Sequence, residues 1–191
     1  MVLCSCYVRN GVPICSMKEA ACGAMFFGQQ LQDTAGRVQA IALAYRRLQA
    51  IHGVEAVDIG ELSSSVAEEV ARSMLRSPGQ LTVECVSLTL PPEKAMSFAL
   101  IANELLTNAV KYGGGSEAIV SLTLTQSGKD ATLKVLNDIP TVRDAHKPPG
   151  GFGTTMIRAM LLELAGDMTA HEKDGRYEVV VTFPLPSPSR Q

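Results

Sequence analysis

The chain has 191 residues, 46% of them hydrophobic and 19% charged, with a formal net charge of -2 and a pI near 5.9. That balance belongs to a globular chain with a real core, and it excludes both an intrinsically disordered segment and the large basic field of a nucleic-acid binder. No apolar run approaches the roughly 20 residues of a membrane span, and the N-terminus lacks the charged-then-apolar order of a secretion signal, so a cytoplasmic protein with no membrane and no nucleic-acid partner is expected.

In chain order, residues 1–27 show no clear periodicity and read as a poorly structured leader. There are five cysteines, and Cys4, Cys6, Cys15 and Cys22 crowd this leader at irregular spacing. A metal site favours paired C-x-x-C units and a disulfide framework favours secretion, so free thiols are expected, with Cys85 a small core residue further on. From Gly28 to Ile51 the apolar residues Leu31, Ala35, Val38, Ala42, Tyr45 and Leu48 recur at helical intervals. Ile41, Leu43 and Ala44 widen that stripe beyond what one neighbour needs, which predicts a homodimer through the 28–51 helix. Asp58 and Glu61 form a capping pair for a second helix with Ile59, Leu62, Val66, Val70 and Met74 on its buried face, ending at Ser77-Pro78-Gly79. Residues 28–75 thus read as a helical, dimerisation-type segment.

Leu81 to Leu90 is rich in Val, Thr and Leu and predicts a strand stopped by Pro91-Pro92, which open the next helix. Within that helix, Glu104, Asn108 and Lys111 are spaced i, i+4, i+7, so a carboxylate, an amide and an ammonium share one face. Ala102, Leu105, Leu106, Ala109 and Val110 make an apolar stripe on the other side, leaving the polar row facing a cleft or solvent. Two strands, Ala118–Thr125 and Ala131–Leu136, follow around a hairpin turn at 126–130. Asn137 to Gly153 is irregular, and a loop of about 15 residues in a compact domain usually carries function or disorder. A helix from Thr154 to Leu164 and a final hairpin, Met168–His171 and Tyr177–Phe183, turning at Lys173–Arg176, complete an 80–186 domain with a loose tail, 187–191. The sum is an α+β fold: a two-layer α/β sandwich with three helices on one face of a mixed, mainly antiparallel sheet, preceded by a long helix.

The run N-E-L-L-T-N-A-V-K-Y-G from Asn103 to Gly113 resembles the asparagine box of the histidine-kinase and gyrase type ATPase superfamily, in the form found in HWE and related bacterial sensor histidine kinases. G-F-G-T-T-M-I from Gly151 to Ile157 resembles that group's glycine box. The stretch from Gly36 to Leu48 is similar to the second helix of their dimerisation domain, and Asp174 to Phe183 suits their last hairpin. The resemblance covers about Gly28 to Leu185 and implies a Bergerat-type fold that binds ATP with Mg2+. Asn108, a neutral oxygen donor, is then the metal ligand, and Glu104 one turn earlier orients or deprotonates the attacking group or holds a metal-bound water. Lys111 neutralises phosphate, Tyr112 packs beside the sugar or base, and Gly151, Gly153 and Thr154 open a helix whose N–H groups suit a triphosphate.

Two departures stand against the pattern. Family members carry an aspartate in a D-x-G-x-G run that binds the adenine amino group; here Asn137 falls at that place, Asp138 is displaced by one, and Ile139 replaces a glycine. The resemblance also implies an acceptor histidine in a helix before Gly36, whereas the three histidines are His52, His146 and His171. The expectation is therefore the ATP-binding part of a sensor histidine kinase, cut from a longer protein or begun at a late start site. It would serve a histidine supplied elsewhere and work with a response regulator or a histidine-containing partner domain. A degenerate, non-catalytic dimerising scaffold for a response regulator and an anti-sigma-type serine kinase are the alternatives.

Overall fold

In the computed structural model the described residues are 6–9, 12–15, 56–140 and 152–186. The long helix expected over 28–51 lies outside them, as do Gly151, His52 and His146. The chain divides into two units, Met1–Gln39 and Ala40–Gln191. In the first, strands β1 (Cys6–Arg9) and β2 (Val12–Cys15) pair antiparallel, Cys6 opposite Cys15, where the sequence predicts an irregular leader.

The second unit begins with β3 (Val57–Asp58) and helix α1 (Ile59–Met74). Asp58 caps α1 as its pattern predicts: Oδ1 accepts from the amides of Gly60 and Glu61 at 2.7 and 3.2 Å. The single strand expected over Leu81–Leu90 is instead two. β4 (Leu81–Cys85) joins the main sheet, and β5 (Thr89–Leu90) pairs antiparallel with β3. The chain leaves the sheet after Val86, whose amide still donates to the Leu124 carbonyl, because the α1 cap offers the next residues stronger partners. The Ser87 hydroxyl donates to Asp58 Oδ2 at 2.5 Å, and the Ile59 amide donates to the Leu88 carbonyl at 2.7 Å. Gly60 permits this crossing, since a Cβ there would stand 2.4 Å from the Val86 carbonyl oxygen.

Helix α2 (Pro92–Tyr112) starts on its second proline, whose missing N–H costs nothing in a first turn. It is the central helix, packed between α1 and α3 (Phe152–Leu164) and against β6 (Val120–Ser127) and β7 (Asp130–Asp138). The buried Ser97 hydroxyl donates to the Glu163 carboxylate and ties α2 to α3. β8 (Asp167–Lys173) and β9 (Arg176–Pro184) turn through Asp174 and Gly175, both at positive φ (52° and 74°), a backbone shape that aspartate tolerates and glycine prefers.

The five strands lie in the order β4-β6-β7-β9-β8; β4 runs parallel to β6 and the other pairs are antiparallel. Alternation sets the faces: Val120, Leu122, Leu124, Ala131, Leu133, Val135, Val181 and Phe183 are buried toward the helices. Phe98 of α2 and Phe183 of β9 meet at 5.7 Å with their rings tilted by 60°. Ile59, Leu62, Val66 and Val70 of α1 belong to this same core. Helix α1 is therefore a layer of the sandwich. Cys85 is a free thiol, partly buried against the core; its loss of water raises its pKa above the ordinary thiol value.

Candidate nucleotide site

The polar row of α2 is not a solvated face. Glu104 is only 5% exposed, Asn108 and Lys111 are half-buried, and Tyr112 at the helix end is exposed. A carboxylate at that depth has to be held by polar partners, which separates this row from ordinary helix decoration. Glu104 and Asn108 stand one turn apart on the same side of α2, so a carboxylate oxygen and an amide oxygen are presented together.

The last turn of α2 closes where the Gly113 amide donates to the Ala109 carbonyl at 2.8 Å. Gly113 lies directly against Asn137: a Cβ on it would be 3.2 Å from both Cβ and Nδ2 of that asparagine. The end of α2 and Asn137, 24 positions apart in sequence, thus meet at one end of the sandwich. Asn137 is 4% exposed, on the helix side of β7, and its Nδ2 donates to the Asp138 carbonyl at 2.9 Å. Asp138 is one residue further along the strand and falls on the opposite face, where its Oδ1 accepts from Arg176 Nε at 3.1 Å. Of the two candidates in this segment, the structure brings Asn137 to the α2 end and turns Asp138 away; the physical reason is the two-residue period of a strand.

Gly153 and Thr154 lie in the first turn of α3, which begins at Phe152, two residues earlier than the sequence predicts. Gly151 precedes the described part of that helix. Tyr177, absent from the sequence-derived set, pairs in register with Asn137 across β7 and β9. Its signal in sequence is the alternation Phe183, Val181, Val179, Tyr177, but only the register shows which residue it stands beside.

The donor chemistry fits Mg2+ and a nucleotide. Among the described residues no three His, Cys, Asp or Glu side chains gather into a cage of their own. A magnesium ion held by one or two protein oxygens, with water and phosphate completing its shell, needs no such cage. The Asn108 amide oxygen and the Glu104 carboxylate are hard donors of the right kind.

No family model matches the chain. In sequence it is 27% identical over 157 residues to blue-light-activated histidine kinase 1 of Erythrobacter litoralis, an alignment covering 80% of this chain and 43% of that protein. The chain thus spans less than half the length of that relative. Its structure superposes on the histidine kinase domain of the blue-light activated kinase of Erythrobacter litoralis with a TM-score of 0.66 at 21% identity, over 79% of this chain and 74% of that one. The mycobacterial sensor histidine kinase MprB gives 0.54 at 19% identity, over 69% and 98%. The five-stranded mixed sheet and these likenesses agree, and the chain has the fold of the histidine kinase domains it resembles.

Proposed function

We propose that the chain is the ATP-binding, catalytic part of a two-component sensor histidine kinase of the HWE type, passing the ATP γ-phosphoryl group to a histidine outside the described fold. The observation that carries this reading is Glu104, a carboxylate 5% exposed on α2, one turn before Asn108 and on the helix that ends against Asn137. Mg-ATP supplies the phosphoryl group; every other role falls to side chains and amides of the chain. Asn108 holds the metal, Lys111 offsets phosphate charge, and the first turn of α3 with Gly151, Gly153 and Thr154 offers N–H groups to the phosphates. Glu104 orients the attacking imidazole and takes the proton it releases as the new P–N bond forms and the bond to the departing ADP breaks. Asn137 faces the base and Tyr112 borders it, while Asp138 stands on the far face with Arg176.

The proposal extends to assembly: the 28–51 segment dimerises, the partner is a response regulator or a histidine-containing domain, and the complex is cytoplasmic. Among the described residues no helix is long and apolar enough to cross a membrane. The runner-up, a non-catalytic kinase-like scaffold, is favoured by one feature: Asn137, whose Nδ2 donates to the Asp138 carbonyl at 2.9 Å, is a neutral side chain where a charged acceptor is expected.

Calorimetry with Mg-ADP on the chain and on Asn108→Ala tests the reading. Binding that Asn108→Ala weakens at least tenfold supports it, and equal binding by both removes Asn108 from the site. Incubated alone with labelled ATP, the chain should acquire no acid-labile phosphate; a stable phosphohistidine on His52 would place the acceptor within it.

A further inference from the structure

We infer that Gln80 is a positioning residue of the nucleotide site, holding the turn that seats the end of α2 against Asn137; this rests on the reading of that site as a nucleotide site. The connection from α2 to β6, residues 113–119, brackets Asn137 from two directions. At its start Gly113 lies directly against the Asn137 side chain, and at its end the Ile119 carbonyl accepts from the Asp138 amide at 3.3 Å. Whatever fixes this connection therefore fixes the surroundings of the buried amide. Its own residues do little of that work. Gly114 and Gly115 have φ of 115° and 66°; a Cβ at Gly115 would meet nothing within 4 Å, and one at Gly114 only the Ala118 amide nitrogen at 3.9 Å. Three consecutive glycines give the turn its shape but no side chain to pack, and glycine has the most backbone freedom to lose.

The bonds that hold the turn come from the connection between α1 and β4. Gln80 Nε2 donates to the carbonyls of both Ser116 and Ala118, at 3.0 and 3.1 Å, and the Arg76 amide donates to the same Ser116 carbonyl at 3.1 Å. Arg76 also pairs with Glu117 at 2.8 Å, but these side chains are 75% and 59% exposed, so water and salt screen that pair and the bonds to the carbonyls dominate. Gln80 is itself held: its Oε1 accepts from the Ser77 amide at 2.8 Å, and its own amide donates to the Ser77 carbonyl at 3.2 Å. With both ends of its side-chain amide committed, the half-buried glutamine has one orientation and bridges two carbonyls 36 and 38 positions away in sequence. Its effect on a ligand passes through Gly113 and Asn137, which face the base, whereas Asn108, Lys111 and the first turn of α3, which face the phosphates, lie outside the turn.

The test uses the full chain, titrated calorimetrically with Mg-ADP and with Mg-pyrophosphate, alongside amide hydrogen exchange over residues 113–119. Gln80→Ala removes the clamp, and Gln80→Glu keeps the acceptor for Ser77 while setting an oxygen against the two carbonyls. The control is Gln126→Ala, which loses the same kind of bond at a glycine turn, Nε2 to the Gly128 carbonyl at 3.0 Å, at the other end of β6. Both Gln80 variants should speed exchange in 113–119 and weaken Mg-ADP about fivefold, the size of one neutral hydrogen bond, with Mg-pyrophosphate within about twofold of the parent. Gln126→Ala should leave both ligands unchanged. Unaltered exchange in 113–119 would overturn the inference, as would faster exchange with unaltered Mg-ADP binding. Equal weakening of both ligands, or a matching loss of Mg-ADP in Gln126→Ala, would overturn it too, because either marks a general effect of stability. In each of these cases the nucleotide reading stands if Asn108→Ala weakens both ligands. Failure of the unsubstituted chain to bind either ligand overturns the nucleotide reading and this inference with it.

Discussion

Replacing Gly113 by alanine tests whether α2 and β7 are locked together at the site. The added methyl would stand 2.5 Å from the Ala109 carbonyl oxygen and 3.2 Å from Cβ and Nδ2 of Asn137. The Gly113 φ of -86° is ordinary for any residue, so the penalty is steric and not torsional. Relief has two routes. Shifting Gly113 opens the 2.8 Å bond that closes the last turn of α2, a loss of about 1 kcal/mol. Shifting Asn137 breaks the 2.9 Å bond from its buried amide to the Asp138 carbonyl, about 1–3 kcal/mol. Overpacking of this kind, with strain shared between the two routes, costs about 1–3 kcal/mol, and restricting the unfolded chain returns about 0.4–1 kcal/mol, so a net destabilisation of up to about 2 kcal/mol is expected. Urea denaturation followed by circular dichroism reads it, with Gly79→Ala as control, because a Cβ at Gly79 meets nothing nearer than 3.9 Å. Gly113→Ala should also weaken Mg-ADP, since either route disturbs Asn137 or the helix end. A Gly113→Ala midpoint equal to or above that of the parent would refute the close packing from which the cost is derived.

Two further substitutions address charge. Burial opposes ionisation of Asp58, but the Ser87 hydroxyl and the amides of Glu61, Gly60 and Leu88 outweigh it and hold the carboxyl below its ordinary value of 3.8. A depressed folded-state pKa contributes stability above the unfolded value, and that contribution is lost as pH falls through the folded value. Asp58→Asn keeps a capping oxygen and removes the charge. The parent should therefore be more stable than the variant by a few tenths to about 1 kcal/mol near pH 6, and the gap should close below pH ~4; a gap independent of pH would refute the assignment. In Asn137→Asp an oxygen replaces the Nδ2 donor facing the Asp138 carbonyl, leaving a buried carboxylate against a carbonyl. Without nucleotide this should cost about 1–3 kcal/mol at pH 7 and less in acid, where the carboxyl protonates, while Mg-ADP affinity rises because a charged acceptor faces the base. Unchanged stability at pH 7 would show that the amide bond to Asp138 contributes little.

The sequence alone carried the fold class and the polar row of α2. Helical spacing is a local property, so E-x-x-x-N-x-x-K on one side of an apolar stripe was legible without any tertiary contact, as were the Asp58 cap and the Asp174-Gly175 turn. Strand boundaries came within a few residues wherever alternation and turn residues agreed. Burial was not legible: the row expected to face a cleft or solvent holds Glu104 at 5% exposure, because the packing of α1 and α3 around α2 decides how much of that helix is covered. Nor was the fate of Leu81–Leu90, where one apolar run serves two sheets because the Asp58 cap draws Ser87 and Leu88 out of the first. The choice between Asn137 and Asp138 belongs to the same class. Neighbours in sequence lie on opposite faces of a strand, and only the register of β7 between β6 and β9 settles that Asn137 meets Gly113 and Tyr177 while Asp138 meets Arg176. Contacts made across a sheet depend on pairing between distant segments, and that pairing has no local signature for a reading of spacing to find.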